Sequence, residues 1–249
     1  MPEGHDFGPY IEHKGEGLAP SFTLDLSHEV PYNAGGVHPH TALMLFALAV
    51  NLRPGVIVET GTFYGYSTIY LAKACDLWDQ GTVYTLDPED KLIAPCVKSH
   101  PRVQCIKERS VDCLPRLLTM LGQVDLAFID SWKRLALWEF LQIAPFVPEG
   151  GLIVFHDTQL FNSGRTLHEA VRKVADGFDV MLFAGTPRDD NPHAYYGNAD
   201  DRGLLVLRRR EEDPYLDVAD ADNEAFGVNQ VFPRTTYLPV RLGESKDGE

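Results

Sequence analysis

The sequence predicts an α/β protein built on a single doubly wound, mostly parallel seven-stranded sheet with helices on both faces. Three observations predict it. Short β-branched runs alternate with helix-like stretches along the chain, the pattern of strand–helix–strand crossovers. The first run, Val56–Glu59, is apolar without a break up to its acid, as in a parallel strand buried on both faces. The chain has 249 residues, 44% hydrophobic and 23% charged, enough for one soluble domain with a full α/β core.

Residues 1–35 are rich in Gly, Pro and His with little period, and read as an irregular N-terminal arm placed to fold over a site. His38-Pro39-His40 opens a helix, with Pro39 near its first turn; a metal tag is the alternative, but further ligands would be needed. Thr41–Val50 is apolar all round, so this helix is buried in the core or in a subunit contact, which makes a homodimer one alternative. Asn51–Gly55 ends it. After the strand at Val56, Thr68–Ala74 is helix-like and Gly81–Asp87 is a second strand. Pro88–His100 reads as an irregular helix that Pro95 breaks or kinks. Arg102–Ile106 is a strand, Ser110–Leu121 a helix, Val124–Asp130 a strand and Leu135–Phe146 a helix. Gly150–His156 is the fifth strand, followed by Asp157. Thr166–Ala175 is a helix, and Phe178–Ala184 and Gly203–Arg208 are the last strands, separated by a polar loop. The domain therefore spans 36–210, and 211–249 is an acidic, proline-punctuated extension.

Composition excludes several partners. A net charge of -14 argues against nucleic acid and against an anionic membrane surface, both of which demand a basic face. No apolar run is long enough to span a bilayer, and Glu3, His5 and Asp6 interrupt any signal-like core at the start. Cys75, Cys96, Cys105 and Cys113 form no C-x-x-C pair, and free thiols in a reducing cytoplasm are the expectation.

Chemistry gathers at the strand ends. Gly61 and Gly65 let the chain turn tightly after the first strand and come close to a ligand, with the amides of the next helix facing it. Asp87, at the tip of the neighbouring strand, is placed to bind both hydroxyls of a ribose. It lies 26 residues after Gly61, and the turn lacks the G-x-G-x-x-G of dinucleotide sites, so an adenosyl cofactor without a pyrophosphate fits better. Glu59, Asp87 and Asp130 end three strands, with Asp157 just past another. Ligands of open α/β sheets bind outside the carboxyl ends of the strands, and crowded like charges there call for a cation or donors.

Glu59-Thr-Gly-Thr-Phe-Tyr-Gly-Tyr-Ser67, Ser110 with Asp112 and Pro115, Asp130-Ser-Trp-Lys133 and Gly150–Asp157 together resemble the class I S-adenosylmethionine-dependent methyltransferases. More narrowly they resemble the cation-dependent O-methyltransferases typified by catechol O-methyltransferase, over roughly residues 35–160. The resemblance implies a Rossmann-like methyltransferase fold and assigns roles. Glu59, Gly61, Gly65 and Ser67 would hold the methionine end of the cofactor, Asp87 the ribose and Ser110 the adenine, with Ser131 and Trp132 packed against it. Phe63 would approach the sulfonium. Asp130 and Asp157 would be ligands to Mg²⁺, and Lys133 matches the general base. The family's Asn directly after the second Asp is here Thr158, a weaker third metal ligand, and His156 stands where the family has a small residue. Strand alternation points His156 and Asp157 to opposite faces.

Blander readings stand beside these. Asp130 and Asp157 are in helix-cap positions, Lys133 is also a surface cation, and Trp132 also plain packing. His156 is a hydrogen-bonded core histidine or a substitute base, and Tyr195 and Tyr196 line an acceptor pocket or a plain loop. The expected function is O-methyl transfer to a small hydroxylated acceptor, phenolic or natural-product-like. A nucleotide-dependent oxidoreductase and a non-catalytic cofactor-binding module are the alternatives.

Overall fold

An interior strand of the sheet, β1 (Val56–Thr60), comes early in the chain, and later strands are added on both sides of it. A computed structural model describes residues 30, 36–158, 161–162, 165–183 and 203–210. The strands that follow are β2 (Thr82–Leu86), β3 (Val103–Ile106), β4 (Leu126–Ile129) and β5 (Leu152–His156). A two-stranded hairpin of β6 (Phe161–Asn162) and β7 (Arg165–Thr166) comes next, then β8 (Phe178–Phe183) and β9 (Leu204–Arg209). The main sheet has seven strands in the order β3-β2-β1-β4-β5-β9-β8. β1 to β5 pair in parallel, whereas β9 runs antiparallel to both β5 and β8. The expected mostly parallel doubly wound sheet is therefore present. Between β1 and β4 the order reverses direction, and the carboxyl ends of these two strands open the crevice where such sheets bind ligands.

Helices cover both faces because neighbouring strand residues point to opposite sides. On one face Val58, Ala127, Ile153 and Phe155 pack with α4 (Ser110–Leu121), α5 (Ala136–Ile143) and α6 (Leu167–Val174). On the other, Ile57, Leu126, Phe128 and Val154 pack with α1 (Pro39–Leu52), α2 (Tyr66–Asp76) and α3 (Pro95–Lys98). Val30 is buried against this second layer. Cys75 and Cys113 are buried, and all four cysteines are free thiols. Among the described residues no helix is long and apolar enough to cross a membrane.

Two sequence expectations change. The helix expected over Pro88–His100 is only the single turn α3, and Pro95 starts that turn rather than breaking it. Ala94, forced towards an extended conformation by the proline after it, cannot carry a helix through (φ -59°, ψ 143°), and Pro95 needs no acceptor for an N–H at the first turn. Helix α1 is not buried all round. Thr41, Ala42, Leu45, Phe46, Ala49 and Val50 face the core, while Leu43 and Ala47 are exposed. The arm apart from residue 30, the polar loop with Tyr195 and Tyr196, and the extension 211–249 lie outside the described residues.

Candidate active site

The loop from β1 to α2 is held by contacts that leave no room for side chains at its glycines. Gly61 has φ +89°, and a Cβ there would sit 2.7 Å from the carbonyl oxygen of Asp130. Gly65 opens α2 with φ +87°, and a Cβ would meet Val97 at 2.7 Å. Such left-handed positions favour glycine. Phe63 also adopts a left-handed conformation, φ 51°. No side chain caps the start of α2, so its first-turn amides are turned to the loop.

Beneath the loop, Glu59 is fully buried. One carboxylate oxygen accepts from Ser67 Oγ at 2.5 Å, the other from Thr68 Oγ1 at 2.5 Å and Thr85 Oγ1 at 2.6 Å. Burial pushes the acid up to about 7, against the pull of the three hydroxyls and with a small push from the Asp130 charge. Glu59 thus orients Ser67 from behind. Asp87 works on the loop from the β2 side: its Oδ2 accepts from the amides of Thr62 (3.1 Å) and Phe63 (2.9 Å), and its Oδ1 from the amide of Glu89 (2.8 Å).

A second group of side chains stands at the ends of β4 and β5. Asp130 Oδ1 accepts from Lys133 Nζ at 2.8 Å and lies 3.0 Å from His156 Nδ1. Lys133 Nζ also donates to the His156 carbonyl at 3.2 Å and sits 3.4 Å from Asp157 Oδ2. His156 Nδ1 is 3.5 Å from Asp157 Oδ1. Burial alone would raise the Asp130 carboxyl, but the Lys133 ammonium and His156 outweigh it and hold it well below the usual range. Burial would likewise lower Lys133 and His156, and the facing carboxylates instead raise both.

The opposite-face expectation for His156 and Asp157 fails for a local reason. β5 ends at His156, and Asp157 turns left-handed (φ 55°), so strand alternation stops between them and both side chains reach Asp130's neighbourhood. Asp130, His156 and Asp157 each offer a ligand atom, all within 4.8 Å of one another. The donor set fits one divalent cation. Thr158, next in the chain, is fully buried, and its Oγ1 has no hydrogen-bond partner among the described residues, an orphan that a ligand would satisfy.

Ser131 and Trp132 follow Asp130 at the end of β4, with the Ser131 amide against Gly61, and Ser110 opens α4. Trp132 is 69% exposed, so one ring face is open to a ligand. Ser131 Oγ donates to Glu139 at 2.7 Å from either carboxylate oxygen, and Thr60 Oγ1 donates to the same carboxylate at 2.9 Å. Burial raises the Glu139 carboxyl against the pull of the nearby hydroxyls. Reading the sequence missed Glu139, Thr60, Thr68 and Thr85. A signal was present for Glu139, the single charged residue in the apolar helix Ala136–Ile143. Thr68 and Thr85 carry none, since threonines in helices and strands look like ordinary formers of those elements.

Residues 58–158 match the family described as Methyltransferase domain. The chain is 31% identical over 164 residues to a catechol O-methyltransferase of Niastella koreensis, covering 61% of this chain and 72% of that protein. It is 26% identical over 207 residues to O-methyltransferase hkm8 of Aspergillus hancockii, covering 81% of this chain and 74% of that one. The solved structure of an O-methyltransferase from Bacillus cereus in complex with SAH shares the fold, with a TM-score of 0.57 at 18% identity over 74% of this chain and 86% of that one.

Proposed function

The chain belongs to the class I S-adenosylmethionine-dependent O-methyltransferases, and from that membership we propose that it methylates a hydroxyl of a small phenolic or natural-product-like acceptor with the help of a divalent cation. The observation that carries the finer reading is the convergence of Asp130, Lys133, His156 and Asp157 on one rim, beside the loop that crosses Gly61.

The glycine loop supports the cofactor end of this reading. The α2 amides bind the methionine carboxylate, and Ser67, whose proton goes to Glu59, accepts from the methionine ammonium. Asp87 keeps lone pairs for the two ribose hydroxyls while its other contacts hold the loop in place. Ser110 and Ser131 meet the adenine, Trp132 covers its face, and Phe63 approaches the sulfonium. When bound, the cofactor supplies an electrophilic methyl group, which must sit about 3 Å from the acceptor oxygen and in line with the breaking bond.

Asp130 and Asp157 would hold the cation, with His156 Nδ1 as the third donor in place of an oxygen ligand. The cation would lower the pKa of the acceptor hydroxyl and orient it. An imidazole nitrogen beside two carboxylates favours Mn²⁺ or Co²⁺ over Mg²⁺. Lys133, half-buried at the rim, is the group within reach of an acceptor that can take its proton. Asp130 and Asp157 hold the ammonium charged, so Lys133 must first lose its own proton before it can take one, a loss that a cation bound by the same two carboxylates would favour.

The test combines calorimetry with S-adenosylhomocysteine and methyl transfer from labelled S-adenosylmethionine to a panel of phenols and catechols. Turnover is expected to disappear with a chelator, to return with Mn²⁺ or Co²⁺ at lower concentration than with Mg²⁺, and to disappear in Asp130→Ala and Lys133→Ala while the homocysteine product still binds. Full turnover in chelator, or in Asp130→Ala, overturns the cation reading. No binding of S-adenosylhomocysteine overturns the cofactor assignments.

A further inference from the structure

We infer that β8 is a docking edge for a second copy of this chain, which lays its own β8 alongside, antiparallel, about a two-fold axis at Met181 and joins the two sheets into one.

β8 is the last strand in the sheet order, and among the described residues no strand pairs with its outer edge. Such an edge offers a row of backbone donors and acceptors to any extended chain. Folded proteins blunt it with a lysine, a proline, a bulge or a very short strand. β8 has none of these. It pairs with β9 over its whole length without a bulge, and its sequence, Phe-Asp-Val-Met-Leu-Phe, holds a single charge. That charge is engaged within the chain, since Asp179 lies 3.5 Å from Arg210 and 3.9 Å from Arg208. Eight large apolar side chains are exposed among the described residues, and four of them, Val180, Met181, Leu182 and Phe183, follow one another here. Alternation sends them to both faces of the sheet, which suits a neighbouring strand with side chains on both faces.

Register and charge select a second copy as that neighbour. A two-fold axis normal to the sheet makes each face of one copy continuous with the same face of the other, so residues opposed across it must differ by an even number. The exposed residues of β8 are Asp179 to Phe183. An axis at Met181 pairs all of them among themselves: Val180 opposite Leu182, Asp179 opposite Phe183, and Met181 opposite its own copy. No like charges are opposed. The chain carries a net charge of -14, so two copies repel over most of their surface, and this edge is a place where they can meet without adding to that repulsion. A basic partner drawn by the same charge would find the one acid of β8 already paired with two arginines. β8 runs in the same direction as β5, because both are antiparallel to β9. The second copy's crevice therefore opens at the opposite end of the joined sheet, and each chain keeps its own site.

Sedimentation of the full chain over a dilution series tests this. A monomer–dimer equilibrium is expected, shifting towards dimer as salt is added, because screening weakens the repulsion between like-charged copies. Met181→Lys sets two ammonium groups opposite one another and is expected to raise the dimer dissociation constant at least about tenfold. Val180→Lys and Leu182→Glu should each weaken the dimer, and the double variant, in which the two new charges face each other across the axis, should regain most of the loss. These side chains are exposed, so the S-adenosylhomocysteine affinity of every variant should stay at the wild-type value. A wild type that is monomeric at all concentrations overturns the inference without recourse to any variant. A dimer that loosens as salt is added, or one that Met181→Lys leaves intact, is held by another surface and overturns it as well. A double variant no tighter than the weaker single one overturns the register about Met181.

Discussion

A carboxyl sealed beneath three hydroxyls, as Glu59 is, keeps its proton to far higher pH than an exposed acid. Its folded value of about 7 lies above the ordinary one of 4.5. Between those two pH values the folded chain binds a proton that the unfolded chain has lost, so stability falls as pH rises from 4.5 to about 7 and is flat beyond. The difference in melting temperature between wild type and Glu59→Gln, followed from pH 5 to pH 8, should show this slope. A difference that does not change with pH would mean that Glu59 is charged in the folded state throughout. At this scale the sequence told half the story. Glu59 stands out as an acid at a strand end, but the hydroxyls that enclose it come from α2 and β2, far apart in the chain, and only the folded sheet brings them together. His156 was similarly ambiguous, because a left-handed residue at Asp157 cannot be read from an alternating pattern.

Among the elements, the loop between β1 and α2 tolerates least. A methyl group at Gly61 meets the Asp130 carbonyl in a backbone conformation that already disfavours side chains. Gly61→Ala should cost about 1–3 kcal/mol of stability and move the loop away from β4. It should also weaken S-adenosylhomocysteine binding at least tenfold, which a melting curve and a calorimetric titration would check. Unchanged binding would show that the loop does not hold the cofactor. Glycines in a turn after a buried strand were visible in the sequence because few residues adopt positive φ. The single turn α3 was not, since proline near a helical stretch reads equally well as a break or as a beginning, and only the extended Ala94 decides between them.

Over the whole molecule, stability and chemistry occupy different ends. Leu118 is buried in the second half of α4, whereas the crevice meets the first turn of that helix at Ser110. Leu118→Ala should therefore cost about 2–5 kcal/mol in chemical denaturation and leave S-adenosylhomocysteine affinity in the folded protein unchanged. A loss of affinity equal to the loss of stability would show the two to be coupled. The alternation of strands and helices made the sheet legible, because each buried strand needs an apolar run and each crossover a helix to cover it. The reversed direction of β9 had no such signal, since Leu204–Arg209 is as apolar as a parallel strand would be.

That reversal has an evolutionary consequence. Phe183 at the close of β8 and His156 at the close of β5 both pair with Leu204, where β9 begins, so the chain departs from the catalytic edge and re-enters it at the same place. The two anchoring strands are held to each other through β9, so selection can alter the length of the connection between them while the paired frame at that edge is inherited intact.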